Sequence, residues 1–180
     1  MSGGIITPHG GYRDLKSFQT TTIIYDFTVE FCEKYVRAYR MQDQMIQAAR
    51  SGRQNIAEGC QASGTSKKTE LKLVSVARAS LEELLLDYED FLRQRGMPVW
   101  EKSSDFALEI RRLAYLDNRS YRTYRTYIQE SSIAANAAIC LIHQANYLLD
   151  KQLQALDRQF VENGGFNERM YSKRKQARGW

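Results

Sequence analysis

The fold is decided by residues 128–160, which read IQESSIAANAAICLIHQANYLLDKQLQALDRQF. Apolar and small residues recur here in steps that alternate between four and three, the period of a coiled-coil face. The pattern predicts a long heptad helix. Asn146 falls within its seam, where a polar side chain either fixes register or oligomeric state at a cost in stability, or simply hydrogen-bonds to a neighbouring helix. The seam comprises Ile128, Ser132, Ala135, Ile139, Ile142, Asn146, Leu149, Leu153, Leu156 and Phe160.

Two helices are predicted near the start of the chain. The first is capped by Asp14 or Ser17 and runs to about Ala38, with apolar residues recurring every three or four positions. The second spans Met41 to about Ala57, and small seam residues such as Gly52 allow a neighbouring backbone to approach closely. Each pattern indicates a helix with one buried face.

A third helix is predicted after a break at residues 58–66, which offers Ser63, Thr65 or Ser66 as its cap. Its apolar period ends at Gly96 and Pro98. The chain is therefore predicted to be all-α, an antiparallel up-and-down four-helix bundle over residues 15–163 with a long fourth helix. A leader (residues 1–14), a basic insertion (about 98–127) and a short basic C-terminal extension, the suffix (164–180), complete the predicted organisation.

Several classes of protein are disfavoured by the composition. No apolar run approaches the roughly 20 residues that a membrane-spanning helix needs, and the N-terminus lacks the pattern of a secretory signal. We therefore expect a cytoplasmic protein without a membrane role. The three cysteines and two histidines are scattered, so we expect no metal site, no cofactor and no catalytic residues.

The positive charge is concentrated in two short segments. The net charge is +5, yet residues 111–127 carry five arginines against one acid, and the suffix carries five cations against one acid. The remainder of the chain is therefore mildly acidic. Candidate nucleic-acid-binding residues are Arg111, Arg112, Arg119, Tyr121, Arg122, Tyr124 and Arg125 in the insertion, and Lys173, Arg174, Lys175 and Arg178 in the suffix.

The alternation of arginine and tyrosine in the insertion has two interpretations. Arginine pairs with phosphate and tyrosine stacks on bases, so residues 119, 122 and 125 could follow one helix face as a nucleic-acid surface. Alternatively, the tyrosines pack on the bundle and the arginines stack over them or pair with the acidic third helix. The pattern alone favours neither.

Two sequence blocks resemble a known family. The first is QAARSGRQNIAEG at residues 47–59, preceded by Gln44, and the second is VARASLEEL at residues 76–84. In this order and separation they resemble the bacterial four-helix-bundle family of ribosomal-RNA intervening-sequence proteins and accessory proteins of diversity-generating retroelements, in a branch with a C-terminal suffix. The resemblance implies an antiparallel bundle that assembles into a homo-oligomeric ring, commonly a pentamer, with basic surface that in the retroelement relatives engages nucleic acid and a reverse transcriptase.

The motif residues themselves are interpreted as structural. Small side chains permit close contact between the second and third helices, and polar ones could exchange hydrogen bonds across that contact. The residues concerned are Asn55, Glu58, Gly59, Arg78, Ser80 and Glu83.

Two functional hypotheses follow. The first is a non-enzymatic, oligomeric adaptor that binds RNA or DNA electrostatically, as part of a ribonucleoprotein or retroelement complex. The second is a protein-interaction scaffold, in which the arginines pair with the acidic helix of a neighbouring subunit and nucleic acid plays no role.

Overall fold

Residues 8–178 are described by a computed structural model, and within them every regular element is helical. Residues 1–7 of the predicted leader and residues 179–180 of the predicted suffix lie outside the described part. A short 3₁₀ turn at Tyr12–Asp14 precedes the first helix, and a second covers Arg125–Gln129. The α-helices are α1 (Lys16–Tyr35), α2 (Tyr39–Ala62), α3 (Lys67–Gln94), α4 (Asp105–Leu113), α5 (Tyr121–Tyr124), α6 (Ser131–Asn163) and α7 (Phe166–Ala177).

Helices α1, α2, α3 and α6 form the bundle, each packing against two of the others. The direction of packing is fixed by contacts between residues far apart in sequence. Ser17 of α1 donates to Gln152 of α6 at 2.8 Å, whereas Tyr35, one helix length later, donates at 2.7 Å to the carbonyl of Ile128, just before α6 begins. Helices α1 and α6 therefore run antiparallel, and the predicted all-α bundle with a long fourth helix is confirmed.

The core is built from the predicted apolar faces. Along α6, Ala135, Ile142 and Leu149 are fully buried, as the heptad seam predicts. At the centre, the Phe31 ring packs edge-on against Tyr88 with ring centroids 4.8 Å apart, and the Tyr88 hydroxyl donates to Thr28 at 2.9 Å. That bond gives a fully buried phenol the partner it requires.

Several predicted helix ends are wrong. Neither Asp14 nor Ser17 caps α1: Asp14 lies in the preceding turn, Ser17 lies inside the helix, and the first residue outside it is Leu15. The C-terminal end of α1 is Tyr35 rather than about residue 38. A helix whose end packs on the bundle can form without a side-chain cap, because burial provides most of its stability.

The end of α2 was also placed too early. The helix continues through Gly59 to Ala62, because Gly59 is buried against α3, where the lack of a side chain permits close contact. Ser66, one of the three predicted caps, does begin α3, since its hydroxyl accepts the amide of Thr69 at 3.1 Å. At the other end, Gly96 adopts a left-handed conformation (φ +63°) just after α3.

Candidate nucleic-acid interface

The first motif block joins α2 to α3 through small side chains. The hydroxyls of Ser51 and Ser80 lie 2.9 Å apart, and Asn55 donates to the Ser51 hydroxyl at 3.1 Å. The Ser80 hydroxyl also lies 3.0 Å from the carbonyl of Val76, a pure acceptor. Ser51 is therefore the donor between the two helices, and the motif forms a short hydrogen-bond chain rather than a reactive site.

The predicted exchange of hydrogen bonds between α2 and α3 by the charged motif residues is wrong. Arg78 instead pairs with Glu82 on its own helix at 2.6 Å and with Asp150 on α6 at 3.1 Å. Glu58 and Glu83 are exposed, and within residues 8–178 neither bonds across the helix pair. The charged motif residues lie on the outer flanks of the two helices, whereas the contact itself is made by small residues such as Gly52 and Gly59 against buried apolar side chains such as Leu81.

Three of the four tyrosines of the insertion, Tyr121, Tyr124 and Tyr127, pack onto the core of the bundle, whereas Tyr115 is exposed. Tyr124 is fully buried, so its predicted role as a platform for base stacking is wrong. Tyr121 packs edge-on against Phe27 and donates to Glu30 of α1, while Tyr127 donates to Glu109 of α4. Burial, followed by the adjacent carboxylates, raises the pKa of both tyrosines, which stay protonated as donors.

Arg119 also has a structural position. Its guanidinium donates to Thr20 on α1 and lies 3.4 Å from the Gln144 amide oxygen on α6 and from the Tyr124 hydroxyl. The side chain thus ties the insertion to two bundle helices. Arg119, Arg122 and Arg125 do not share one helix face, because α5 spans only four residues and a 3₁₀ turn follows it.

The other arginines of the insertion face solvent. Arg111 and Arg112 end α4, Arg122 lies on α5, and Arg125 begins the following turn. All four are exposed, and within residues 8–178 none of them forms an ion pair. An exposed guanidinium that is in no ion pair keeps its planar set of donors available for a phosphate, although the positive charge of Arg125 also helps to lower the pKa of the nearby Glu30.

The suffix forms α7, which buries none of its residues. Gly164, whose positive φ of +64° favours glycine, separates it from α6, in agreement with the predicted termination of the helix at the two glycines. Arg174, Lys175 and Arg178 are exposed, and Lys173 is half-buried. The cations of α7 therefore form a second positively charged group, which follows the C-terminal end of α6.

A groove between the insertion and α6 was not predicted. It has a volume of about 950 Å³ and is lined by α4, by the segments that flank α4 and by one face of α6. Its aromatic and cationic lining includes Trp100, Lys102, Arg111, Tyr115, His143 and Tyr147. The sequence signal was Tyr147, which lies outside the heptad seam at helical spacing from His143 and so had to face something other than the core.

The electrostatics of the groove are predominantly positive. Lys16, Lys102, Arg111 and Arg119 line it, against only two acids, Glu89 and Asp117. Partial burial, followed by the positive charge of Lys102, lowers the pKa of His143. The imidazole is therefore neutral at pH 7 and offers both a donor and an acceptor.

Three other features bear on function in residues 8–178: the apolarity of the helices, the grouping of potential metal ligands and the state of the cysteines. No helix there has the length and apolarity to cross a membrane, and no cluster of three or more potential metal ligands occurs. Cys32, Cys60 and Cys140 are unbridged, and burial raises the pKa of each thiol. These thiols are poor nucleophiles at neutral pH.

Fold and surface together define an all-α helical-bundle protein with a cationic, aromatic-lined face. Residues 15–90, which cover α1, α2 and most of α3, match the family described as 23S rRNA-intervening sequence protein. The matched region contains both sequence blocks, which confirms their resemblance to that family. No curated protein and no solved structure matches the chain.

Proposed function

We propose that the protein is a non-enzymatic adaptor of the cytoplasm that binds nucleic acid, with RNA preferred, and that it acts as a homo-oligomer. The observation that carries the proposal is the set of four exposed arginines in the insertion, Arg111, Arg112, Arg122 and Arg125, which form no ion pairs within residues 8–178. The family name, which refers to an intervening sequence of 23S rRNA, supports RNA over DNA.

Charge distribution supports the same assignment. Phosphate neutralisation by arginine and lysine supplies most of the affinity in nonspecific nucleic-acid binding. The insertion and the suffix carry the excess positive charge of this chain, and most of their cations are exposed to solvent, where they can contact phosphates. Such contacts give affinity without base specificity.

The test compares two variants with the same loss of charge. Arg122 and Arg125 are replaced by alanine in one, and Arg37 and Arg40, exposed at the α1–α2 connection, in the other. Binding of labelled single-stranded RNA and DNA is followed by fluorescence anisotropy at several salt concentrations. Because each phosphate contact contributes about 0.7 to the salt slope for a single strand, the insertion variant should lose affinity and slope, whereas the control should lose neither.

Two outcomes would count against the proposal. If the unaltered protein bound no nucleic acid even at low salt, the arginines would serve a protein partner, as in the scaffold hypothesis. If both variants lost the same affinity, binding would depend on net charge and not on the insertion. Circular dichroism and melting temperature establish that both variants are folded before binding is compared.

A further inference from the structure

We propose that the groove between the insertion and α6 binds an unpaired nucleotide of a single strand, with the base against its aromatic side chains and the phosphate beside its cations. This inference rests on the proposed function. It goes beyond that function because it predicts that the protein prefers single-stranded to double-stranded RNA, and that this preference comes from the groove.

The groove has the shape and size that such a ligand requires. Its floor is one face of α6, and small residues of α4, Ala107 and Ala114, leave room along one wall. The volume of about 950 Å³ lies near the upper end of the range for small-molecule sites, about 300 to 1,000 Å³. The space therefore accommodates a whole nucleotide.

Its two tyrosines are exposed, whereas Tyr124, nearby in the sequence, is fully buried. Tyr115 is 88% exposed and Tyr147 is 62% exposed. Trp100 is held in place, since its ring stacks on Phe106 with ring centroids 5.1 Å apart and its amide donates to Asn136 at 2.7 Å. Large exposed apolar side chains gathered in one concave surface indicate a binding site rather than a packing defect.

Charge identifies the occupant as an anion with an aromatic part. Lys102 and Arg111 are exposed beside the aromatic residues, and neither forms an ion pair within residues 8–178. A purely apolar protein segment would leave these cations without a partner, whereas a nucleotide supplies one phosphate for each base. Neutral His143 offers a donor and an acceptor to a base edge.

The same chemistry excludes a base pair. Within a duplex both faces of each base are covered by neighbouring bases, so an aromatic side chain has no face on which to stack. An unpaired nucleotide exposes its base, and sequence-tolerant stacking then adds to phosphate binding. The groove is therefore expected to contribute to single-strand affinity and to contribute nothing to duplex affinity.

The experiment replaces both exposed tyrosines of the groove by alanine (Y115A and Y147A) and uses Tyr39→Ala as the control. Tyr39 is 81% exposed at the start of α2 and does not line the groove. Binding of a labelled single-stranded RNA and of a duplex of equal length is measured against salt. We expect single-strand affinity to fall roughly 5- to 100-fold, with the salt slope and the duplex affinity unchanged.

The failures of the two proposals are distinguishable. If the unaltered protein binds no RNA, the proposed function fails and this inference fails with it. If it binds RNA but the double variant binds single strands as well as the Tyr39→Ala control does, or loses duplex affinity equally, the groove assignment is overturned and the adaptor stands. Photocrosslinking of a 4-thiouridine-containing single strand to the unaltered protein gives a second answer: crosslinks within residues 99–119 and 136–148 support the groove, and crosslinks confined elsewhere overturn it.

Discussion

The contact between α2 and α3 depends on the absence of a single methyl group. A Cβ added at Gly52 would lie 2.8 Å from Cδ2 and 3.0 Å from Cγ of Leu81, a fully buried side chain. We expect Gly52→Ala to lower the free energy of unfolding by about 1 to 3 kcal/mol, because overpacking a closed core outweighs the gain in helix propensity. Chemical denaturation measures the difference.

The same substitution in a chain that already carries Leu81→Ala separates the clash with Leu81 from any general effect of replacing Gly52 by alanine. In a Leu81→Ala chain the obstructing atoms are gone, so adding Gly52→Ala should be neutral or stabilising by up to about 1 kcal/mol. Equal destabilisation in both backgrounds would show that the glycine serves something other than close approach to Leu81.

The α6 seam supplies the second prediction for a single side chain. Leu149 is fully buried, so Leu149→Ala should lower the free energy of unfolding by about 2 to 5 kcal/mol through lost transfer energy and the cavity left behind. Leu86→Ala makes the same chemical change at a position that is 55% exposed, and it should change stability by about 0.5 kcal/mol or less. Similar losses at the two positions would mean that the seam is misplaced.

The presence of each bundle helix was easier to predict from the sequence than the residues at which that helix begins and ends. The apolar period that identifies α1, α2, α3 and α6 persists over many turns, so it could be read from the sequence. The end of α2 could not, because Gly59 looks like a helix breaker until α3 is seen packed against it. The short helices of the insertion depend on contacts with the bundle, which no local pattern encodes.

The insertion is held on α1 by a titratable contact. The hydrogen bond from Tyr121 is the largest influence on Glu30 and lowers the pKa of its carboxyl, an effect that Lys34 increases. A carboxyl whose pKa is lower in the folded state contributes stability above its unfolded pKa and loses that contribution as the pH falls through its folded pKa. Glu30 is therefore expected to favour the folded insertion at neutral pH.

Tyr121→Phe tests this contact. At pH 7 the substitution should lower the free energy of unfolding by about 0.5 to 1.5 kcal/mol, the usual net value of one hydrogen bond. The difference in unfolding free energy from the unaltered protein should narrow as the pH falls below the ordinary carboxyl pKa of 4.5 and Glu30 becomes protonated in both chains. Tyr115→Phe is the control, because Tyr115 makes no hydrogen bond within residues 8–178. If the difference in the free energy of unfolding between the two proteins stayed constant with pH, the loss would not come from the hydrogen bond between Tyr121 and Glu30.

For the chain as a whole, the segments that carry the positive charge could be identified from the sequence. Whether their side chains face solvent or pack on the core could not. Alternating arginine and tyrosine fits either an exposed or a packed segment, and the fold uses both: Tyr124 is buried, whereas Arg122 is exposed. The groove escaped prediction because its lining comes from two stretches, residues 99–119 and 136–148, and from Lys16 and Glu89, which only tertiary structure brings together. Trp100 and Tyr147 are 47 positions apart in the sequence.

The suffix provides the last prediction, since it carries much of the positive charge and none of the core. A chain that ends at residue 163 loses five cations and one acid, and its net charge falls from +5 to +1. Because α7 buries no residue, the melting temperature should change by no more than a few degrees. RNA affinity should fall, and the salt slope should decrease by about 0.7 for each phosphate that the suffix contacts.

A full-length chain with fewer cations in α7 distinguishes phosphate contact from a loss of general attraction. Replacing Arg174 and Lys175 by glutamine keeps the length of α7 and removes two exposed cations. If the suffix contacts RNA, this chain should show an intermediate slope, because the number of released counterions follows the number of phosphates neutralised. An unchanged slope in both chains would restrict the interface to the insertion. A large fall in melting temperature after truncation would instead give α7 a structural role that its exposed surface does not suggest.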